Sequence, residues 1–236
     1  MNDLRRLAPA GRWPDDIQLW HLRLPAQAVD ADWPTLSADE RARAARYRRP
    51  TDRIRFALTR CRLRQLLGAW LDRPPASLRF DCNAWGRPEL CGGGLFFNVS
   101  HGGSHALIAI SACRRVGVDV EWIDPALDWQ ALSGMLCTQA ELQSIQAIPE
   151  DSRRWAFFRC WTAKEALLKA MGQGIGADLH SVNLAERTAQ PMAMVGATAM
   201  VTNCRLQYRW LEGLEGLEGY SACVAYGEPG SAGFQV

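Results

Sequence analysis

Two six-residue strings constrain this chain more than any other feature: Phe56-Ala-Leu-Thr-Arg-Cys61 and Trp155-Ala-Phe-Phe-Arg-Cys160. Each lies inside a long helical pattern. The first pattern covers residues 52–71, with Ile54, Phe56, Leu58, Leu63, Leu66 and Leu67 on its apolar face. The second covers residues 152–171, and Gly172 is well placed to end it. Ahead of each stands a strand-like run and then a helix start. Residues 17–24 precede Ser37-Ala-Asp39-Glu40, an N-cap with acids in the first turn. Residues 116–122 precede Thr138-Gln-Ala-Glu141, a capping box. Strand signals also follow each long helix, at 78–82, 95–99 and 106–111, and again at 181–184, 205–211 and 220–226. The hairpin turn before 106–111 is expected at His101-Gly102-Gly103, and the Leu-Glu-Gly repeat at 211–219 reads as a loop. This repeated order predicts an α+β fold, a pseudo-dimer of two similar α+β halves, residues 1–113 and 114–236, related by duplication. Ligand sites commonly form where two such halves meet.

Hydrophobic residues make up 48 % of the chain and charged residues 22 %, enough apolar content for a sizeable core. The opening MNDLRRLAPAGRWPDD has no apolar run of signal-peptide length, and no stretch approaches a membrane span. A cytoplasmic protein without a membrane partner is expected. The eight cysteines are widely scattered, with no CxxC and no histidine at zinc-ligand spacing, so free buried thiols are expected rather than disulfides or a zinc site.

Net charge is only +2, but residues 37–73 hold eleven arginines against four acids. Such a run can be a solvated helix face, a phosphate site or a nucleic-acid surface. Composition does not choose among the three. The lysines are more telling. Of twenty-seven basic residues only Lys164 and Lys169 are lysine, and both fall in WTAKEALLKAMG. A compact ammonium fits where a planar guanidinium fork does not.

In Val116-Gly-Val118-Asp119-Val120-Glu121, period-two alternation puts the valines on one face and both carboxylates on the other. Exposed strand acids are one reading. A Mg²⁺ site is the other, since that ion takes a few protein oxygens and leaves positions for water and phosphate. Trp161, Glu165 and Lys169 are spaced i, i+4, i+8 and share one helix stripe. The last two could form a mere surface ion pair, yet the tryptophan on their stripe argues against full exposure. A carboxylate beside a metal and a lysine suits phosphoryl transfer, which needs positioning and charge neutralisation more than covalent chemistry. Between the two segments, a strand running into Ser100-His101-Gly102-Gly103 offers a hydroxyl, an imidazole and backbone N–H groups to a phosphate. Walker, G-x-G-x-x-G and G-x-S-x-G motifs are absent.

Three blocks in this order resemble the 4′-phosphopantetheinyl transferases of the long, surfactin-synthetase-activating type. They are Gly86-Arg-Pro88, FNVSH running on to GVDVE, and FRCWTAKEALLKAMGQGI, and the resemblance covers about residues 15–226. The resemblance implies a monomer whose two halves form a pseudo-dimer. It implies Mg²⁺ held by Asp119, Glu121 and Glu165, with coenzyme A as co-substrate. Glu165, or a water it holds, would be the general base. Lys169 would hold the coenzyme A diphosphate, and His101 with Ser100 would also bind phosphate. Arg43 and Arg55 would lie near the 3′-phosphate. Arg87 stands where many relatives have lysine and could reach a phosphate, while Lys164 would position Glu165. The partners implied are apo carrier proteins of fatty-acid, polyketide or nonribosomal-peptide systems.

Two rival readings are a non-catalytic coenzyme A-binding module and a nucleic-acid binder built on the arginine run, where aromatic residues are sparse. The apolar residues of segment 124–136, Leu127, Trp129, Leu132, Met135 and Leu136, are expected either to cap the core or to form a carrier-docking patch.

Overall fold

Both helix starts form capping boxes. Ser37 Oγ accepts from the Glu40 N–H at 3.2 Å while Glu40 accepts from the Ser37 N–H at 2.9 Å. Thr138 and Glu141 repeat the exchange at 3.3 and 2.7 Å. These pairs satisfy N–H groups that a helix end would leave unpaired.

The computed structural model describes residues 4–25, 33–173, 179–184, 198–201 and 204–230. In chain order these form β1 (Leu4–Leu7), β2 (Gln18–Arg23), α1 (Ala38–Ala45), α2 (Pro50–Leu71), β3 (Phe80–Cys82), β4 (Pro88–Leu90), β5 (Phe96–Gly102) and β6 (His105–Ser111). There follow β7 (Val116–Trp122), α3 (Trp129–Leu136), α4 (Gln139–Gln146), α5 (Glu150–Met171), β8 (Thr198–Val201), β9 (Cys204–Trp210) and β10 (Tyr220–Tyr226). One antiparallel sheet has the order β1-β2-β6-β5, the second β7-β10-β9-β8, and β3-β4 make a small hairpin. Helices with antiparallel sheets make this the expected α+β class. No helix among the described residues is long and apolar enough to cross a membrane.

Strand alternation builds the layers. Leu19, Leu107 and Ala109 of one sheet pack against Val116, Val118, Val120, Ala222 and Val224 of the other, so the two sheets face each other. The opposite side of the first sheet, with Phe97, Ile108 and Ile110, takes Leu63 and Leu67 of α2. The opposite side of the second, with Leu206, Tyr208, Cys223 and Ala225, takes α5 through Phe157, Ala163, Ala166, Leu167 and Ala170. The two matched strings do the same local work. Arg60 stacks over Phe56 at 5.9 Å and Phe80 at 5.3 Å, as Arg159 does over Trp155 at 4.3 Å and Trp210 at 3.9 Å. In each string the ring is four residues ahead of the arginine, on its helix face.

Some expectations need correction. Residues 181–184 are not a strand: a 3₁₀ turn spans Leu179–Ser181. The Leu184 N–H bonds to Glu141 Oε1 instead, and just ahead of the segment the Leu179 carbonyl accepts from Lys164 Nζ. Strand β5 runs on through His101 and Gly102, so the hairpin turn is Gly103-Ser104. Strands β1, β4 and β8 were not anticipated; each is four residues or fewer, too short for an alternation signal. Segment 124–136 mostly joins the core. Trp129 is buried, Leu127, Leu132 and Leu136 pack against the same cluster, and Met135 is 63 % exposed.

Two glycines set how closely the layers meet. A Cβ on Gly117 would collide with the Ala166 carbonyl oxygen and the Ala170 nitrogen of α5. One on Gly102 would collide with the Val120 carbonyl oxygen. Gly117→Ala is therefore expected to cost about 1–3 kcal/mol or more, because backbone cannot yield as a side chain does. Chemical denaturation checks this; an unchanged midpoint would contradict the packing.

A second prediction comes from His21 and His105, buried across β2 and β6 with Nε2 and Nδ1 2.7 Å apart. Burial, then the neighbouring His105 charge, pushes His21 down to about 4; burial also lowers His105. The unfolded chain thus takes up protons before the folded one, and stability falls as pH drops from 6.5 toward 4. Urea midpoints across that range should fall less steeply in His21→Gln than in the unmodified protein.

Candidate active site

A cavity of about 640 Å³ opens between the long helices, where β5 of one sheet lies beside β7 of the other. No backbone ladder joins these strands here. Instead, Asn98 Oδ1 accepts from the Val118 N–H at 2.9 Å, a side chain standing in for a ladder carbonyl. Gly102 lets the backbones close together farther along. The floor is Ser100 and His101 from β5, Asp119 and Glu121 from β7, and Trp161, Glu165 and Lys169 from α5. Arg43, Tyr47, Phe56, Thr59 and Arg60 form the opposite wall, and Trp85, Gly86, Arg87 and Pro88 stand at the β3–β4 turn.

Three carboxylates surround one ammonium. Lys169 Nζ lies 2.6 Å from Asp119 Oδ1 and 3.8 Å from Glu165 Oε2, and donates to Ser100 Oγ at 3.3 Å. Ser100 Oγ in turn donates to Asp119 Oδ1 at 2.8 Å. Asp119 is 1 % exposed, and its Oδ2 is buried without a partner. Burial, then the Asp119 charge, pushes Glu121 up to about 8 against the pull of Lys169. Burial also raises Glu165. Burial works to lower Lys169, but Asp119 and Glu165 outweigh it and its pKa ends raised. Three carboxyl groups set against one lysine resist ionising together, as the raised Glu121 and Glu165 show, and a cation among them would favour their charged forms.

The stripe Trp161, Glu165, Lys169 and the pair Asp119, Glu121 thus come together on one floor. His101 reaches the cavity too, though its side chain stays exposed; partial loss of hydration lowers its pKa, with Lys169 and Arg55 adding to the effect. Arg43 lies on the wall, stacked over Phe56 at 5.1 Å. Arg55 is not among the lining residues and pairs with Asp52 at 2.9 Å. Arg87 borders the cavity, but its guanidinium bonds the carbonyls of Lys169 at 2.8 Å and Phe97 at 2.7 Å. Lys164 does not turn toward Glu165. It is wholly buried, paired to Glu141 at 2.6 Å, and donates to the Leu136 and Leu179 carbonyls at 2.8 and 3.1 Å. Cys137 and Cys160 lie beside that pair, yet Lys164 and two backbone N–H groups already hold both Glu141 oxygens. Sequence reasoning missed Arg60, Tyr47 and Trp85. Arg60 was visible only as part of the repeated string.

Residues 115–225 match the 4′-phosphopantetheinyl transferase superfamily. The chain is 36 % identical over 191 residues to the 4′-phosphopantetheinyl transferase HetI of Nostoc sp., covering 78 % of this chain and 80 % of that relative. It is 35 % identical over 168 residues to slr0495 of Synechocystis sp., named after the same transferase, covering 70 % and 68 %. It is 30 % identical over 149 residues to the 4′-phosphopantetheinyl transferase psf-1 of Bacillus pumilus, covering 63 % of each. The chain belongs to the 4′-phosphopantetheinyl transferase superfamily.

The coupling at the floor can be read directly. In the metal-free protein Asp119→Asn removes a like charge from Glu121 and the anion beside Lys169, so both titration midpoints should fall. Carboxyl and ε-carbon NMR titrations measure this; a Glu121 midpoint still near 8 would contradict the assignment.

Proposed function

We propose that the protein moves 4′-phosphopantetheine from coenzyme A to a serine of an apo carrier protein, with Mg²⁺ held by Asp119, Glu121 and Glu165. The observation that carries this reading is three carboxyl groups set against one ammonium at the floor, with Asp119 Oδ2 buried and unpaired, opposite Arg43 and Arg60. Oxygen ligands of this kind fit a hard divalent cation that shares its coordination shell with phosphates. When bound, the ion supplies charge neutralisation at the diphosphate.

The chain's own residues do the rest. Lys169 offers a point charge to the diphosphate, and Ser100 and His101 offer a hydroxyl and an imidazole beside it. Arg43 and Arg60 face the cavity from the helical wall, where the nucleotide's 3′-phosphate would find cations. Arg55, paired with Asp52 outside the lining, makes no direct contact there. Glu165, beside Lys169 on α5, takes the serine proton directly or through a water it holds. The serine oxygen bonds to the β-phosphorus as the bond to the leaving phosphate breaks, and 3′,5′-ADP leaves with the electron pair. Carriers of fatty-acid, polyketide and nonribosomal-peptide systems present such a serine.

Incubation with coenzyme A, Mg²⁺ and apo carriers of those three classes, read by intact mass, tests the proposal. A carrier should gain one phosphopantetheine, and chelation of Mg²⁺ should stop the gain. Glu165→Gln should slow it by about 10²-fold or more, and Asp119→Ala should abolish it with the fold retained. Carriers that all stay apo, or a Glu165→Gln variant near full rate, would overturn the reading.

A further inference from the structure

The guanidinium of Arg87 ties together the three elements that carry the site. Its Nη1 donates to the Lys169 carbonyl of α5 at 2.8 Å. Its Nη2 donates to the Phe97 carbonyl of β5 at 2.7 Å and, more weakly, to the Val116 carbonyl of β7 at 3.4 Å. Its Nε is buried and shut off from water. Lys169 projects from the first element, Ser100 and His101 from the second, Asp119 and Glu121 from the third.

A neighbouring side chain works the same way. Asn83 Nδ2 donates to the Gly172 carbonyl at 2.8 Å, just past the end of α5. Its Oδ1 accepts from the N–H groups of Trp85 and Arg87, both at 3.0 Å, so one residue shapes the turn and grips the helix. The last carbonyls of a helix lack intrahelical partners, and the negative end of the helix dipole favours a cation there. Burial lowers Arg87 to about 10, so it stays charged at neutral pH.

The geometry points to Arg87 as a positioning residue that holds the end of α5 against β5 and β7, rather than as a ligand for substrate phosphate. The role in turnover rests on the transferase reading above; the clamp itself does not. A lysine would have to reach these carbonyls from a single nitrogen, whereas the planar fork turns Nη1 toward α5 and Nη2 toward β5 and β7. Release of the clamp lets Lys169 drift from Asp119, and displacement of a reacting group by about 1 Å can cost 10²-fold in rate.

Two measurements on Arg87→Lys and Asn83→Ala test the inference. In amide hydrogen exchange, residues 168–173 should exchange at least tenfold faster in Arg87→Lys, and faster to a smaller degree in Asn83→Ala, while α2 keeps its protection. In steady-state kinetics kcat should fall about tenfold to a hundredfold, with the KM for coenzyme A within about twofold. The preference for coenzyme A over its 3′-dephospho form should not change. Full protection at 168–173 in Arg87→Lys, or a raised KM that lysine restores relative to Arg87→Ala, would overturn the clamp and make Arg87 a phosphate ligand. If the unmodified protein loads no carrier, the transfer reading fails, and the exchange data still decide the clamp.

Discussion

The site depends on how closely other backbone approaches β7 from two sides. At Gly117 the carbonyl and amide groups of α5 lie where any side chain would stand. At Gly102 the backbone of β5 does the same against Val120. These two absent Cβ atoms bring a helix, a sheet edge and a second sheet edge within side-chain reach of one another. Ser100, Asp119 and Lys169 can then meet in one hydrogen-bonded group although 19 and 50 residues separate them along the chain. Backbone strain at a single position would spread to every distance on the floor, because interiors are packed too densely to absorb it.

Charge follows from that packing. Burial raises Glu121 and Glu165, and it works against Lys169 until the carboxylates reverse the effect. A floor arranged in this way holds three carboxyl groups against one ammonium, and Arg43 of α1 and Arg60 of α2 face it across the cavity. The opposing potentials suit a ligand that brings a cation on one side and phosphates on the other. The two lysines show why arginine would not serve in their places. Lys164 gathers Glu141 and two carbonyls around one nitrogen, and Lys169 gathers Asp119, Ser100 and Glu165. Both are converging sites for a point donor, whereas Arg87 spreads two nitrogens toward different carbonyls, as a fork can.

Much of the site was legible before any coordinates. The alternation in Val116–Trp122 correctly put Asp119 and Glu121 together, because a strand's two faces follow from covalent geometry. The i, i+4, i+8 stripe correctly joined Trp161, Glu165 and Lys169. Other readings went astray where partners came from afar. Lys164 was expected to serve Glu165, its sequence neighbour, but consecutive helix residues point about 100° apart. Its ammonium went to α4 and to residue 179 instead. Arg87 reads as able to reach a phosphate because it stands where many relatives have lysine; that its fork bonds the carbonyls of Lys169 and Phe97 is a fact of tertiary contact.

The sequence by itself determined the α+β class, the two long helices, the capping boxes that open α1 and α4, the carboxylate face of β7 and the lysine-bearing stripe of α5. Each depends on residues within a few positions of one another, so periodicity and cap chemistry suffice to state it. Tertiary structure alone decided that β5 and β7 meet edge to edge, that Arg60 and Tyr47 wall the cavity, and that Asp119 keeps one oxygen unpaired. It also decided that residues 181–184 form no strand and that the Leu184 N–H goes to Glu141 instead. Those outcomes depend on which distant groups come within about 3 Å of each other, and hydrogen bonding at that range is set by the packing of whole layers, not by local sequence.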